Sequence, residues 1–180
     1  VSQDEFDGVH GEGAFAVLGI PDLAARNADA NRYLPASGAW PRAEGIFRSV
    51  PTPVAPDRAD LGLWNVLGNP EIPRPQARIL EILCAEPDAP APCDAASVLD
   101  RAVARFKTPS LRDLGQSGPY FHTGAKDSLE AVIRHYERFS ALARDGGVRN
   151  GAPELAGIAL VDEDVAPLAA FLRSLDEDYD

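Results

Sequence analysis

The side chains able to do chemistry are few, and their spacing excludes more than it offers. His10, His122 and His135 stand far apart, with no H-E-x-x-H and no cysteine–histidine cluster at zinc spacing. There is no G-x-S-x-G elbow and no glycine-rich phosphate loop. Conventional hydrolase and nucleotide chemistry therefore have nothing to stand on. Cys84 and Cys93 fit neither C-x-x-C redox spacing nor the C-x-x-C-H of c-type haem attachment. The residues 85–92 between them can close a small loop, so the pair is either a disulfide in an oxidising compartment or two buried thiols. Methionine is absent, so an iron bound by this chain could not take a thioether axial ligand from it.

Composition sets the outer limits. A chain of 180 residues, 45% hydrophobic and 25% charged, suits one soluble globular domain with a real core. The net charge of −11 repels nucleic acid and anionic membrane surfaces. Such a surplus serves solubility, or docking to a basic partner such as a small basic cytochrome. No apolar run reaches the ~18 residues of a membrane span. The chain starts at Val1 without a methionine, which suggests a processed protein or a fragment.

The elements that must position any site are helical. Most of the sixteen prolines and fifteen glycines fall in the first two thirds, which makes that region loop-rich. Residues 1–20 read as irregular, and Pro21 can open a short helix running to about Tyr33. Residues 34–74 carry turn signals throughout, from Pro35 to Asn69-Pro70. A helix is expected at roughly 75–85, with Ile79, Leu80, Ile82 and Leu83 apolar. A second is expected from about Ala95 to Arg105, with Val98, Leu99 and Val103 inward. Asp127 or Ser128 can cap a longer helix carrying Leu129, Val132, Ile133, Tyr136 and Phe139, which the segment from Asp145 to Gly151 ends. Asp162, Glu163 and Asp164 favour a helix start. That helix would place Val165, Leu168, Leu172 and Leu175 on one stripe, with Pro167 near its first turn. Almost no strand alternation occurs, so the fold class is mainly α with long ordered loops.

The most specific stretch runs from Phe106 to Tyr136. It reads Phe106-Lys107-Thr108-Pro109-Ser110-Leu111-Arg112-Asp113-Leu114, then Ser117-Gly118-Pro119-Tyr120-Phe121-His122-Thr123-Gly124, then Ser128-Leu129-Glu130. In order and short spacing it resembles the bacterial di-haem cytochrome c peroxidase and MauG family, marked by an F-K-T-P-S-L-R-N-like run, a P-Y-x-H-x-G turn and a T-L-E-E-V-like helix start. Phe15 to Pro21, Asp60-Leu61-Gly62-Leu63-Trp64-Asn65-Val66, Asn150-Gly151, Pro153-Glu154-Leu155 and Leu172-Arg173-Ser174-Leu175 are similar to further family segments. The 75–105 segment with its cysteines looks like an insertion found in some members.

The resemblance implies that residues 1–180 form the C-terminal, cytochrome c-like haem domain of a periplasmic di-haem oxidoreductase. Such an enzyme reduces hydrogen peroxide with electrons from a small redox protein or from a side chain of a substrate protein. Its second haem takes an axial ligand from the helix after the P-Y-x-H turn, methionine in some members and tyrosine in MauG-like ones. The matching position is Tyr136, and the absence of methionine favours the tyrosine branch. From spacing alone, Tyr136 could equally be a core aromatic, and His135 beside it would face the surface. Arg112 would pair with a haem propionate, or make a structural salt bridge to Asp113 or another acid. His122 would sit near the haem edge, or be a satisfied loop histidine. The carbonyls of Ser117 and Pro119 match positions that bind calcium between the haems. Trp64, or Trp40, could pass electrons or simply fill the core.

Two departures weigh against these expectations. Neither C-x-x-C-H motif is present, so these residues attach no haem c covalently. The family's second motif would end just before Val1, and the N-terminal haem domain would lie further upstream. The rival expectation is a haemless periplasmic docking module of the same fold, and a lesser one is non-covalent haem held by Tyr136 and a histidine.

Overall fold

The computed structural model describes residues 7–8, 11–15, 18–49, 54–55 and 58–177, and His10 lies outside them. It divides into two compact units, one ending at Phe106 and the other beginning at Lys107. Regular structure among the described residues is helical, with isolated β-bridges and no strand.

In the first unit α1 (Leu23–Ala28) and α2 (Ala30–Tyr33) follow one another across Asp29. The expected single helix is thus two short ones. Asp22, not Pro21, caps α1, its carboxylate accepting from Ala25 N at 2.8 Å. Arg26 of α1 is fully buried. Its guanidinium donates to the carbonyls of Trp64 and, at 2.7 Å, Leu67. It also lies 5.1 Å from the centroid of the Trp64 ring, and burial pushes its pKa down to about 10.

The long loop from Asp60 to Gln76 keeps its order because side-chain amides satisfy backbone groups that a helix or sheet would otherwise pair. Asn65 donates to Phe47 O at 2.7 Å and Asn69 to Asn65 O at 3.1 Å. Gln76 accepts from Gly68 N at 2.8 Å and donates to Ile72 O at 2.6 Å. Gly62, at φ +58°, bridges to Arg105, with Leu63 N donating to Arg105 O at 2.9 Å and Ala104 N to Leu61 O at 3.0 Å. This pairing fastens the Asp60–Val66 run to residues 104–105 within the first unit.

Helix α3 (Gln76–Cys84) buries Ile79 and Leu83, while Ile82, expected among its apolar positions, is 53% exposed. Residues 95–105 are not the expected helix. They form turns and one 3-10 turn, Asp100–Ala102, yet still bury Val98, Leu99 and Val103. Cys84 and Cys93 form a disulfide, with Cα atoms 5.9 Å apart. Inside the loop they close, Glu86 pairs with Arg101 at 2.9 Å and with Arg105, and Asp88 pairs with Arg101 at 2.9 Å. The hydrogen bond from Arg101 holds the Asp88 carboxyl below the usual carboxylate range. The core of the unit gathers Phe15, Ile46, Phe47, Leu61, Trp64, Leu67, Leu83, Val98 and Val103. Each large apolar side chain so buried contributes about 1.5–3 kcal/mol.

In the second unit α4 (Leu129–Arg144) is capped by Ser128, whose hydroxyl accepts from Ala131 N at 3.2 Å. Gly146 at φ +73° and the Gly147 N–H bond to Leu142 O at 2.8 Å end it. After α5 (Pro153–Ala156), α6 (Asp162–Arg173) packs Val165 and Ala169 against Leu129 and Ile133 of α4. The Asp164 carboxylate accepts from Val161 N at 3.0 Å and so closes the start of α6. Pro167 falls in the second turn rather than the first, where it removes one main-chain bond. Leu175 lies beyond the helix end. Glu130 and Arg173 tie α4 to α6 through bonds of 2.8 and 2.9 Å.

Candidate functional site

Around α4, at about 100° per residue, Tyr136 lies within about 60° of Leu129, Ile133, Phe139 and Ser140. Those four residues are buried, and Tyr136, between them along the axis, is 45% exposed. A large aromatic in the middle of the buried stripe is therefore uncovered, and it is not the core residue that spacing alone allowed. Its hydroxyl has no hydrogen-bond partner among the described residues.

The rings beside it form a cluster. His135 stacks on Phe139 with centroids 4.1 Å apart and planes 23° apart. Phe121 covers it from another side at 4.7 Å, and Tyr136 meets it edge-on at 5.8 Å and 89°. His135 is half-buried in this cluster, which corrects the expectation of a surface histidine. The i to i+4 spacing of His135 and Phe139 was visible in the sequence. The part played by Phe121 was not, because it depends on a left-handed φ of +63° in the turn.

The remaining candidates are scattered over the surface or sunk in the core. Arg112 is exposed and makes a salt bridge to Glu177 at 2.6 Å. Nearby, Glu177 N donates to the Asp113 carboxylate at 2.8 Å and Gly115 N to that of Asp176 at 2.9 Å. Together these bonds fasten the chain's last described residues to the turn that bears Arg112. His122 is exposed. Ser117 and Pro119 are exposed on either side of Gly118, and the Ser117 hydroxyl donates to Asp113 O. No group of three His, Cys, Asp or Glu able to hold a metal occurs among the described residues.

Trp64 is fully buried, edge-on to Phe47 at 5.2 Å, and Trp40 is partly exposed. The Arg26 cation over the Trp64 ring favours the neutral indole over one that has lost an electron. The Trp64 Nε1 atom also has no hydrogen-bond partner. This setting suits packing better than relay. Cys84 and Cys93 are bonded to each other, so neither is available for a thioether. Among the described residues no helix is long and apolar enough to cross a membrane.

No protein-family model matches the chain, and no solved structure does. Characterised proteins do. The chain is 39% identical over 71 residues to the methylamine utilization protein MauG of Methylophilus methylotrophus, covering 39% of this chain and 20% of that protein. The MauG of Methylorubrum extorquens is 40% identical over 72 residues, 39% of this chain and 18% of its own. The cytochrome-c peroxidase IdrP2 of Pseudomonas sp. strain SCT is 36% identical over 79 residues, 44% of this chain and 19% of its own. The match thus spans about a fifth of each relative's length. Over about two fifths of its length the chain is thus similar to MauG proteins and cytochrome-c peroxidases.

Proposed function

We propose that this chain is the C-terminal part of a periplasmic di-haem oxidoreductase that reduces hydrogen peroxide and oxidises a protein partner or a protein side chain. The observation that carries the reading is Tyr136, an oxygen donor left uncovered in the middle of the buried stripe of α4. Its position matches the tyrosine of the MauG-like branch, and MauG proteins are among the relatives.

The residues present fit haem in one respect and not in another. Tyr136 has a free phenol oxygen to offer as axial ligand, and Phe121 and His135 offer aromatic surface beside it. The thioether bonds of a c-type haem need cysteines other than Cys84 and Cys93. Bound haem would supply the electron transfer in which the peroxide O–O bond breaks and two electrons and two protons give water.

The chain's own residues have separate parts in this reading. Tyr136 would hold the iron through its phenol oxygen. Arg112, exposed and paired with Glu177, could trade that carboxylate for a propionate. His122 offers a polar side chain at the same turn, and the carbonyls of Ser117 and Pro119 offer the hard oxygens that calcium takes. The disulfide accords with an oxidising compartment such as the periplasm. The acidic surface accords with a basic redox partner.

The test is Tyr136→Phe in the protein isolated from its native host, with the haem absorption spectrum as readout. Loss of a tyrosinate-to-iron charge-transfer band is the expected result, and an unchanged spectrum removes the axial role. The second reading, a haemless docking module, is favoured by the bonded cysteine pair. Intact mass and a pyridine-haemochrome spectrum decide it, because a colourless protein of 19.2 kDa would have kept the fold without the chemistry.

A further inference from the structure

His135 has a place that neither packing alone nor the proposed chemistry accounts for. It precedes Tyr136 on α4, and its imidazole meets Phe121, Tyr136 and Phe139. The face-on stack with Phe139, one helical turn on, fixes the plane of the imidazole. Phe121 then closes the slot, and the turn that brings it there holds a bulky residue at φ +63°, a conformation that costs energy. Tyr136 leans on the edge of this slot at 89°. Its own hydroxyl has no hydrogen bond among the described residues to orient it. A 45% exposed tyrosine without such a bond would otherwise move between staggered χ1 wells.

We infer that His135 is a positioning residue for Tyr136: clamped between Phe121 and Phe139, its imidazole is the wall that holds the tyrosine ring in one orientation. The strained Phe121 turn and the Tyr136 ring are coupled through it. The part of the inference that concerns iron rests on the reading of Tyr136 as axial ligand; the part that concerns the ring's orientation does not.

The experiment uses the whole protein from its native host labelled with 3-fluorotyrosine, the Tyr136 fluorine resonance being assigned by its absence in Tyr136→Phe. In His135→Ala that resonance should shift and broaden, and in His135→Phe, which restores a flat wall, it should return toward its original place. The haem charge-transfer band should follow the same order. A resonance unmoved in His135→Ala overturns the proposal, as does one that moves equally in both variants. If His135→Ala does not fold, Phe121→Leu removes the other wall of the slot and must move the resonance; an unmoved line then overturns the proposal. If the haem spectrum ignores Tyr136→Phe itself, the axial reading falls while the fluorine line still decides whether His135 positions the ring.

Discussion

Removing the Cys84–Cys93 bridge should weaken the protein by an amount that can be worked out beforehand. The bridge joins residues with a sequence separation of 9. Closing a loop of that size removes about 8.6 cal/mol/K of chain entropy from the unfolded state, or about 2.6 kcal/mol at 25 °C. For a chain of this length that corresponds to a fall of about 5–10 °C in Tm. The ion pairs of Glu86 and Asp88 with Arg101 and Arg105 do not replace this contribution. They form in the folded protein, whereas the tether acts chiefly on the unfolded one. Their persistence should instead keep the 85–92 loop native-like after the bridge is gone. The assay is urea denaturation of Cys84→Ala/Cys93→Ala beside the wild type, oxidised and reduced. Reduced wild type and double variant should coincide, each about 2–3 kcal/mol below the oxidised protein. Oxidised and reduced proteins agreeing within about 0.5 kcal/mol would refute the reasoning, and would mean that the ion pairs and the core contacts of Leu83 and Val98 hold the segment without help.

Two further outcomes follow from the geometry. Gly62→Ala should cost about 3–4 kcal/mol, because its Cβ would lie 2.3 Å from the Arg105 carbonyl and 2.8 Å from the Phe106 ring at φ +58°. Gly38→Ala, with open space around it, is the control, and equal urea midpoints for the two variants would contradict the pairing of residues 62 and 105. The hydrogen bond from Arg173 holds the Glu130 carboxyl below the usual carboxylate range. Its stabilising contribution is therefore fully present above the unfolded value near 4.5 and is lost as pH falls through the lower folded value. Arg173→Gln should flatten the acid limb of stability against pH, and a limb of unchanged slope would show that other carboxylates carry it.

Much of the fold could be read from local chemistry. A cap at Asp127 or Ser128, the Asp145–Gly151 stop and the apolar spacing of Leu129, Ile133 and Val165 marked α4 and α6, because capping and helical period are short-range effects. The same rules misjudged 95–105. There Val98, Leu99 and Val103 have the burial of a helix without its backbone, which the pairing of Leu61 and Gly62 with Ala104 and Arg105 and the ion pairs to the disulfide loop shape instead. The backbone partners among them come from a distant segment, so no short window of sequence contains them. In the same way Arg26, a charged residue one turn into a short helix, is buried only because the Trp64 and Leu67 carbonyls come to meet it.

The candidate site divides along the same line. The sequence by itself determined that Tyr136 stands at the position the family resemblance marks, that the chain holds no methionine, and that it holds no C-x-x-C-H. These are matters of residue type and order. Only the tertiary structure decided that Tyr136 stays uncovered within a buried stripe, that Arg112 pairs with Glu177, that Trp64 lies beneath a cation, and that His135 is a wall rather than a surface residue. Each of these depends on which atoms distant segments bring into contact, and exposure and contact are properties of the folded chain as a whole.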